Sequence, residues 1–117
     1  MALTKQEVFN IAWKKMIAQG KKSMASGQAK TCVYESQDGS RCAIGIFATD
    51  EEIPLMENFP VYALGRRMPQ ALRGFDSLFL TDLQKAHDET SETFFVEDFK
   101  SNMRRLANYY NLQVPNA

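Results

Sequence analysis

Apolar residues recur at helical spacing near both ends of the chain and give way to strand-like alternation before its middle. Val8, Ile11, Ala12, Lys15 or Met16 and Gln19 mark one side of a first segment, with Phe9, Trp13 and Ile17 widening it. Thr4-Lys5-Gln6-Glu7 has the form of a capping box, and Gly20 suits the left-handed position just past a helix end. The pattern predicts a helix from Lys5 to about Gln19, with Trp13 as a core anchor. Leu80, Leu83 and Ala86 or His87, with Phe79 beside them, predict a second helix from about Ser77 to Asp88, capped by Asp76 or Ser77. Phe95, Phe99, Met103 or Leu106, and Tyr110 predict a last one from about Val96 to Tyr110, closed by Asn111.

Thr31 to Ser36 and Arg41 to Phe47 are rich in β-branched and aromatic residues and flank Asp38-Gly39, the strongest short hairpin signal in the chain. A two-residue loop sets Gln37 opposite Ser40, Tyr34 opposite Ala43 and Cys32 opposite Gly45. Cys32, Tyr34, Arg41, Ala43, Gly45 and Phe47 then share one face, and Cys42 lies on the other with Val33, Glu35, Ile44 and Ile46. In that register the two cysteines cannot bond. A bulged loop shifts the register by one and places them diagonally on one face. Gly45 inside this run reads as a point of close approach. The expected fold class is α+β, mostly helical, with a two-stranded antiparallel β-hairpin packed against about three main helices.

Lys21 to Lys30 reads as a polar connector whose lysines could meet phosphate groups. Thr49 to Glu52 is a second capping box, and Pro54 limits the helix it opens to a short turn. Asn58-Phe59-Pro60 breaks the chain again, a short helix from Val61 to Arg67 or a third strand from Val61 to Leu64 follows, and Met68-Pro69 begins another short piece through Leu72 that Gly74 stops. Residues 1–117 read as one domain, with 112–117 as a frayed tail.

Fourteen basic and fourteen acidic side chains balance to zero. That argues against a general nucleic-acid binder and leaves self-association open. The charges are unevenly spread: residues 1–30 carry six lysines and one glutamate, and residues 74–98 carry seven acids and one lysine. No apolar run reaches the length of a membrane span, and the first residues do not read as a signal peptide. The expected location is cytoplasmic, where thiols stay reduced.

Cys32-x-Tyr34, Asp38-Gly39-x-Arg41-Cys42-Ala43-Ile44-Gly45 and the acidic Asp50-Glu51-Glu52 resemble a pattern in small uncharacterised proteins of bacteriophages and prophages. Leu83-Gln84-Lys85-Ala86-His87-Asp88 is similar to a downstream stretch of the same group, and a terminal amphipathic helix extends the likeness over residues 30–112. Gly45-Ile46-Phe47-Ala48 departs from it, lacking a second apolar-proline step before the acids. The resemblance implies a phage origin, and a host cytoplasm as the setting, but no established activity.

Cys42, His87 and Asp88 supply the residue types of thiol catalysis. An Asp next to a His on a helix points about 100° away, so Asp88 is expected to orient it poorly. Two distant Cys and one His do not make zinc spacing, and no phosphate loop or dinucleotide fingerprint occurs. No catalytic residue, metal ligand or cofactor is assigned. Arg41, Arg66, Arg67, Arg73 and Tyr34 could hold an anionic ligand or an acidic surface. Phe59, Tyr62, Arg66, Arg67 and Arg73 share an irregular stretch with the residue types of interface hot spots. The expected function is a phage-type, non-enzymatic protein-binding module that inhibits a host defence system, anti-CRISPR-like or other. A small-ligand binder sequestering a nucleotide is the alternative, and a Cys-dependent enzyme ranks third.

Overall fold

The computed structural model describes residues 3–23, 33–57 and 59–115. Among them lie the α-helices α1 (Lys5–Gln19), α2 (Ile53–Met56), α3 (Ser77–Asp88) and α4 (Phe95–Tyr110). Short 3₁₀ turns cover Gly45–Phe47, Val61–Ala63, Gly65–Arg67 and Gln70–Leu72. Cys32, Asn58 and most of the expected connector 21–30 lie outside the described residues.

The long helices start and stop where local chemistry directs. The Glu7 amide donates to Thr4 Oγ1 at 3.1 Å and the Thr4 amide to Glu7 Oε1 at 2.8 Å, a closed capping box. Gly20, at φ 74°, returns its amide to the Met16 carbonyl. Asp76 caps α3 through the Leu78 amide, and Asn111 ends α4 in the left-handed region at φ 57°. The second box forms too: Thr49 and Glu52 exchange amide and side-chain bonds. α2 nevertheless spans only Ile53–Met56, with Pro54 in its first turn.

α4 packs between α1 and α3, and α3 also carries the Val61–Ala63 turn. The core takes Phe9, Trp13 and Met16 from α1, Phe79, Leu80 and Leu83 from α3, and Phe95, Phe99 and Met103 from α4. Ile44, Met56, Leu64 and Leu72 fill it from the intervening segments. Burying each of the larger side chains stabilises by about 1.5–3 kcal/mol. Trp13 is a core residue, as its position predicts, with the Arg104 guanidinium 5.7 Å from its ring centroid.

The expected β-hairpin is absent: no strand occurs among the described residues, and the fold is helical there rather than α+β. In its place is a loop closed by a single antiparallel bridge, Glu35 to Arg41. The Ser36 amide donates to the Ser40 carbonyl and the Cys42 amide to the Tyr34 carbonyl, so Tyr34 faces Cys42 and not Ala43. Two local causes override the strand propensities. Asp38 gathers the Ser40 amide at 3.0 Å and the Ser36 and Ser40 hydroxyls, which widens the turn beyond two residues. Past Cys42 the backbone donors turn inward: Gly45 to Cys42 Sγ, Ile46 to the Cys42 carbonyl, Phe47 to the Ile44 carbonyl. No row of amides is left to pair with a strand. Val61 to Leu64 likewise coils into a 3₁₀ turn instead of a third strand.

Gly45 is a point of close approach, although not in a strand. A Cβ there would lie 2.2 Å from the Tyr34 carbonyl oxygen. Gly45→Ala is therefore expected to destabilise the fold by about 1–3 kcal/mol or more, the usual cost of overpacking. Gly39→Ala meets no atom within 4 Å and carries only the strain of its φ of 87°, about 1–2 kcal/mol. Chemical denaturation of both variants checks the order; a Gly45→Ala protein as stable as the wild type contradicts the packing described.

Candidate interaction surface

Residues 59–73 form a ridge of 3₁₀ turns with a divided composition. Val61, Leu64, Met68 and Leu72 point inward, which leaves Tyr62, Arg66 and Arg67 on the outer face. Tyr62 is 74% exposed and Phe59 36%, high values for such large rings. The Arg67 guanidinium sits 4.2 Å from the Phe59 ring centroid, a stacked cation–π contact. Arg73 donates to the carbonyls of Met68 and Arg66, bracing the ridge from its end. The Gln70 amide donates to Glu52 at 2.9 Å, fastening it to the chain before α2. Among the described residues none of Arg66, Arg67 and Arg73 has a carboxylate within ion-pair distance.

Two residues with the chemistry of this site serve elsewhere. Arg41 spends its guanidinium inside the 33–50 segment, on Glu35 at 2.8 Å, Asp50 at 2.6 Å and the Ala48 carbonyl at 2.6 Å. It is an internal clip, apart from the ridge. Tyr34 is buried, and its hydroxyl donates to the Phe59 carbonyl at 2.5 Å. Burial, then the neighbouring Cys42 and Glu57, push its phenol above the usual value. Tyr34 thus anchors the ridge from beneath without presenting a donor to its outer face.

Beside Phe59 and Tyr62 a cleft of about 490 Å³ opens between Glu57, residues 59–62 and α3. Val33, Tyr34 and Val61 form apolar walls, and Glu57, Thr81, Gln84, Lys85 and Asp88 supply polar groups. Of its lining, sequence reasoning named Tyr34, Phe59 and Tyr62 and missed the acids and the α3 residues. Thr81, Gln84, Lys85 and Asp88 do share the helical spacing that brings side chains to one face, but nothing local ties Glu57 to them.

His87 and Asp88 pair with each other, while the Cys42 thiol is bonded to its own turn. Asp88 Oδ1 lies 2.9 Å from His87 Nδ1, against the expectation that adjacent helical residues diverge. The pair sits at the last turn, and Glu89 has already left helical geometry at ψ 43°. Gln84 Nε2 donates to the same Asp88 oxygen at 3.0 Å. His87 Nε2 accepts the Ser23 amide at 3.2 Å, so both ring nitrogens are engaged away from Cys42. The Cys42 thiol is free and buried, and desolvation pushes its pKa up to about 12. This is the environment of a packed thiol, not of an activated nucleophile. No group of three potential ligands that could hold a metal ion occurs among the described residues. None of their helices is long and apolar enough to cross a membrane.

Comparison with protein-family models, curated proteins and solved structures finds no match to this chain.

Cys42 should resist alkylation by iodoacetamide at pH 8 in the native protein and react fully in denaturant, as read by peptide mass spectrometry. Modification of native Cys42 at the rate of a free thiol contradicts the burial and the raised pKa.

Proposed function

We propose that this chain is a phage-type, non-enzymatic protein-binding module that inhibits a host defence system by covering a surface of a host protein in the cytoplasm. The ridge at 59–73 carries the reading. Its aromatic rings and arginines stand outward on turns whose apolar residues are already buried. Surface Tyr and Arg are the types that concentrate binding energy in protein interfaces. Guanidinium groups with no carboxylate in ion-pair range among the described residues favour a partner surface rich in carboxylates, which Arg binds with two parallel hydrogen bonds. The likeness of the Cys-x-Tyr and Asp-Gly-x-Arg-Cys-Ala-Ile-Gly stretches to phage proteins supports the host setting.

The nucleotide-sequestering alternative has one observation in its favour, the size of the cleft, which falls in the range of small-molecule sites. Its lining weighs against phosphate, since Glu57 and Asp88 face it with Lys85 as the one cation among the described lining residues. Of the two readings, protein binding needs no charge of the wrong sign.

The test starts from affinity capture with the tagged protein in bacterial lysate and proceeds to calorimetry with the recovered partner. Arg66→Glu with Arg67→Glu should weaken that binding by about 2 kcal/mol or more, the hot-spot threshold. Thermal stability should stay nearly unchanged, because exposed charges contribute little to folding. Unaltered affinity in the double variant places the interface elsewhere, and an unfolded variant makes the arginines structural; either defeats the proposal.

A further inference from the structure

The cleft beside the ridge carries a charge opposite to the ridge's own. Phe59 and Tyr62 belong to both, so any surface laid over the ridge also covers the cleft mouth. Inside, Glu57 lines the cleft wall. Its Oε1 is buried with no hydrogen-bond partner among the described residues. A buried acceptor left unpaired is costly, and more so when it is charged. Burial, with Glu35 nearby, holds the Glu57 carboxyl above the ordinary carboxylate range, as expected of a charge lacking a counter-charge. Asp88 faces the same space, with one oxygen committed to His87 and Gln84.

We propose, building on the protein-binding reading above, that this cleft receives a basic side chain, arginine or lysine, projecting from the partner. The chemistry fits along the whole length of such a side chain. Its aliphatic stem would pass Val33 and Val61, as long basic side chains pack on apolar surface. Its charged head would meet the carboxylates of Glu57 and Asp88 on the cleft wall. Tyr62, which also lines the cleft and is mostly exposed, offers its ring to the cation. Lys85 stands exposed on the rim, outnumbered by the two acids. The partner surface is therefore mixed: carboxylates against Arg66 and Arg67, and one basic residue beside them. Such alternation fixes register and rejects partners of uniform charge.

The cleft can be tested without the partner, by two-dimensional amide NMR titration with N-acetyl-arginine amide and its neutral isostere, N-acetyl-citrulline amide. Saturable shifts centred on Tyr34, Val61, Thr81 and Lys85 are expected with the arginine probe. Its Kd should be about 10 mM or tighter, the scale of one side chain acting alone. The citrulline probe, and the arginine probe on Glu57→Gln, should each bind at least about tenfold more weakly. If Glu57→Gln does not give a folded spectrum, Tyr62→Ala, altering a mostly exposed ring, takes its place and should weaken the arginine probe several-fold. No saturable shift, equal binding of the two probes, or unchanged affinity in the variants overturns the proposal. The ridge is judged separately: weakened partner binding in the double arginine variant with no arginine-probe binding sinks the cleft alone. Normal partner binding in that variant with a working probe site sinks the ridge alone.

Discussion

A stretch of backbone that passes through the core without a sheet must have its polar groups satisfied by tight turns and by side chains, and residues 40–48 depend on both. Gln19 takes the Arg41 amide at 2.8 Å and returns a donor to the Arg41 carbonyl at 2.9 Å. Gln84 accepts the Ile44 amide at 3.2 Å. Arg41 supplies the Ala48 carbonyl. With each orphaned buried group costing about 1–3 kcal/mol, losing a few of these would consume much of a small domain's net stability of about 5–15 kcal/mol. The same requirement turns Gln84 inward from α3. Asp88, one helical turn on, is then held by Gln84 and His87 with its carboxylate at the cleft wall.

The long helices were legible because their evidence is local. Caps at Thr4, Gly20, Asp76 and Asn111 and the apolar spacing of Phe95, Phe99 and Met103 work within a few residues. The hairpin was misread because its local evidence was outbid from a distance. Asp38-Gly39 does turn the chain, with Gly39 at φ 87°. Beyond the turn, however, the amide of Ile44 is claimed by Gln84, forty positions away, and that of Gly45 by a thiol. Strand propensity describes a residue's fit to a pleated surface and cannot foresee such claims.

The same limit governs the candidate site. Phe59, Tyr62, Arg66 and Arg67 stood out because proline and glycine break the segment that carries them. Arg41 and Tyr34 have the same chemistry, yet backbone carbonyls absorb much of it. Residue type alone does not separate a clip from a ligand. Glu57 is, in sequence, a single acid after a short helix; only its buried Oε1, without a hydrogen-bond partner among the described residues, and its place in the cleft lining mark it. The division of labour is physical. Residues 33–48 and the helices use their polar groups internally, while the ridge is fastened by Tyr34, Glu52 and Arg73 and keeps its outer face uncommitted.

That division can be measured directly by native-state amide hydrogen exchange, followed residue by residue by NMR. The amides of Arg41 and Ile44, held by the side chains of Gln19 and Gln84, should be protected to within about tenfold of the most protected amides of α3, because they open only with the core. The amides of Gly65 and Arg66 on the ridge should exchange orders of magnitude faster. Exchange of Arg41 and Ile44 at the rate of the ridge would contradict the account, since residues 40–48 would then be a surface loop and not a buried segment held by the side chains of α1 and α3.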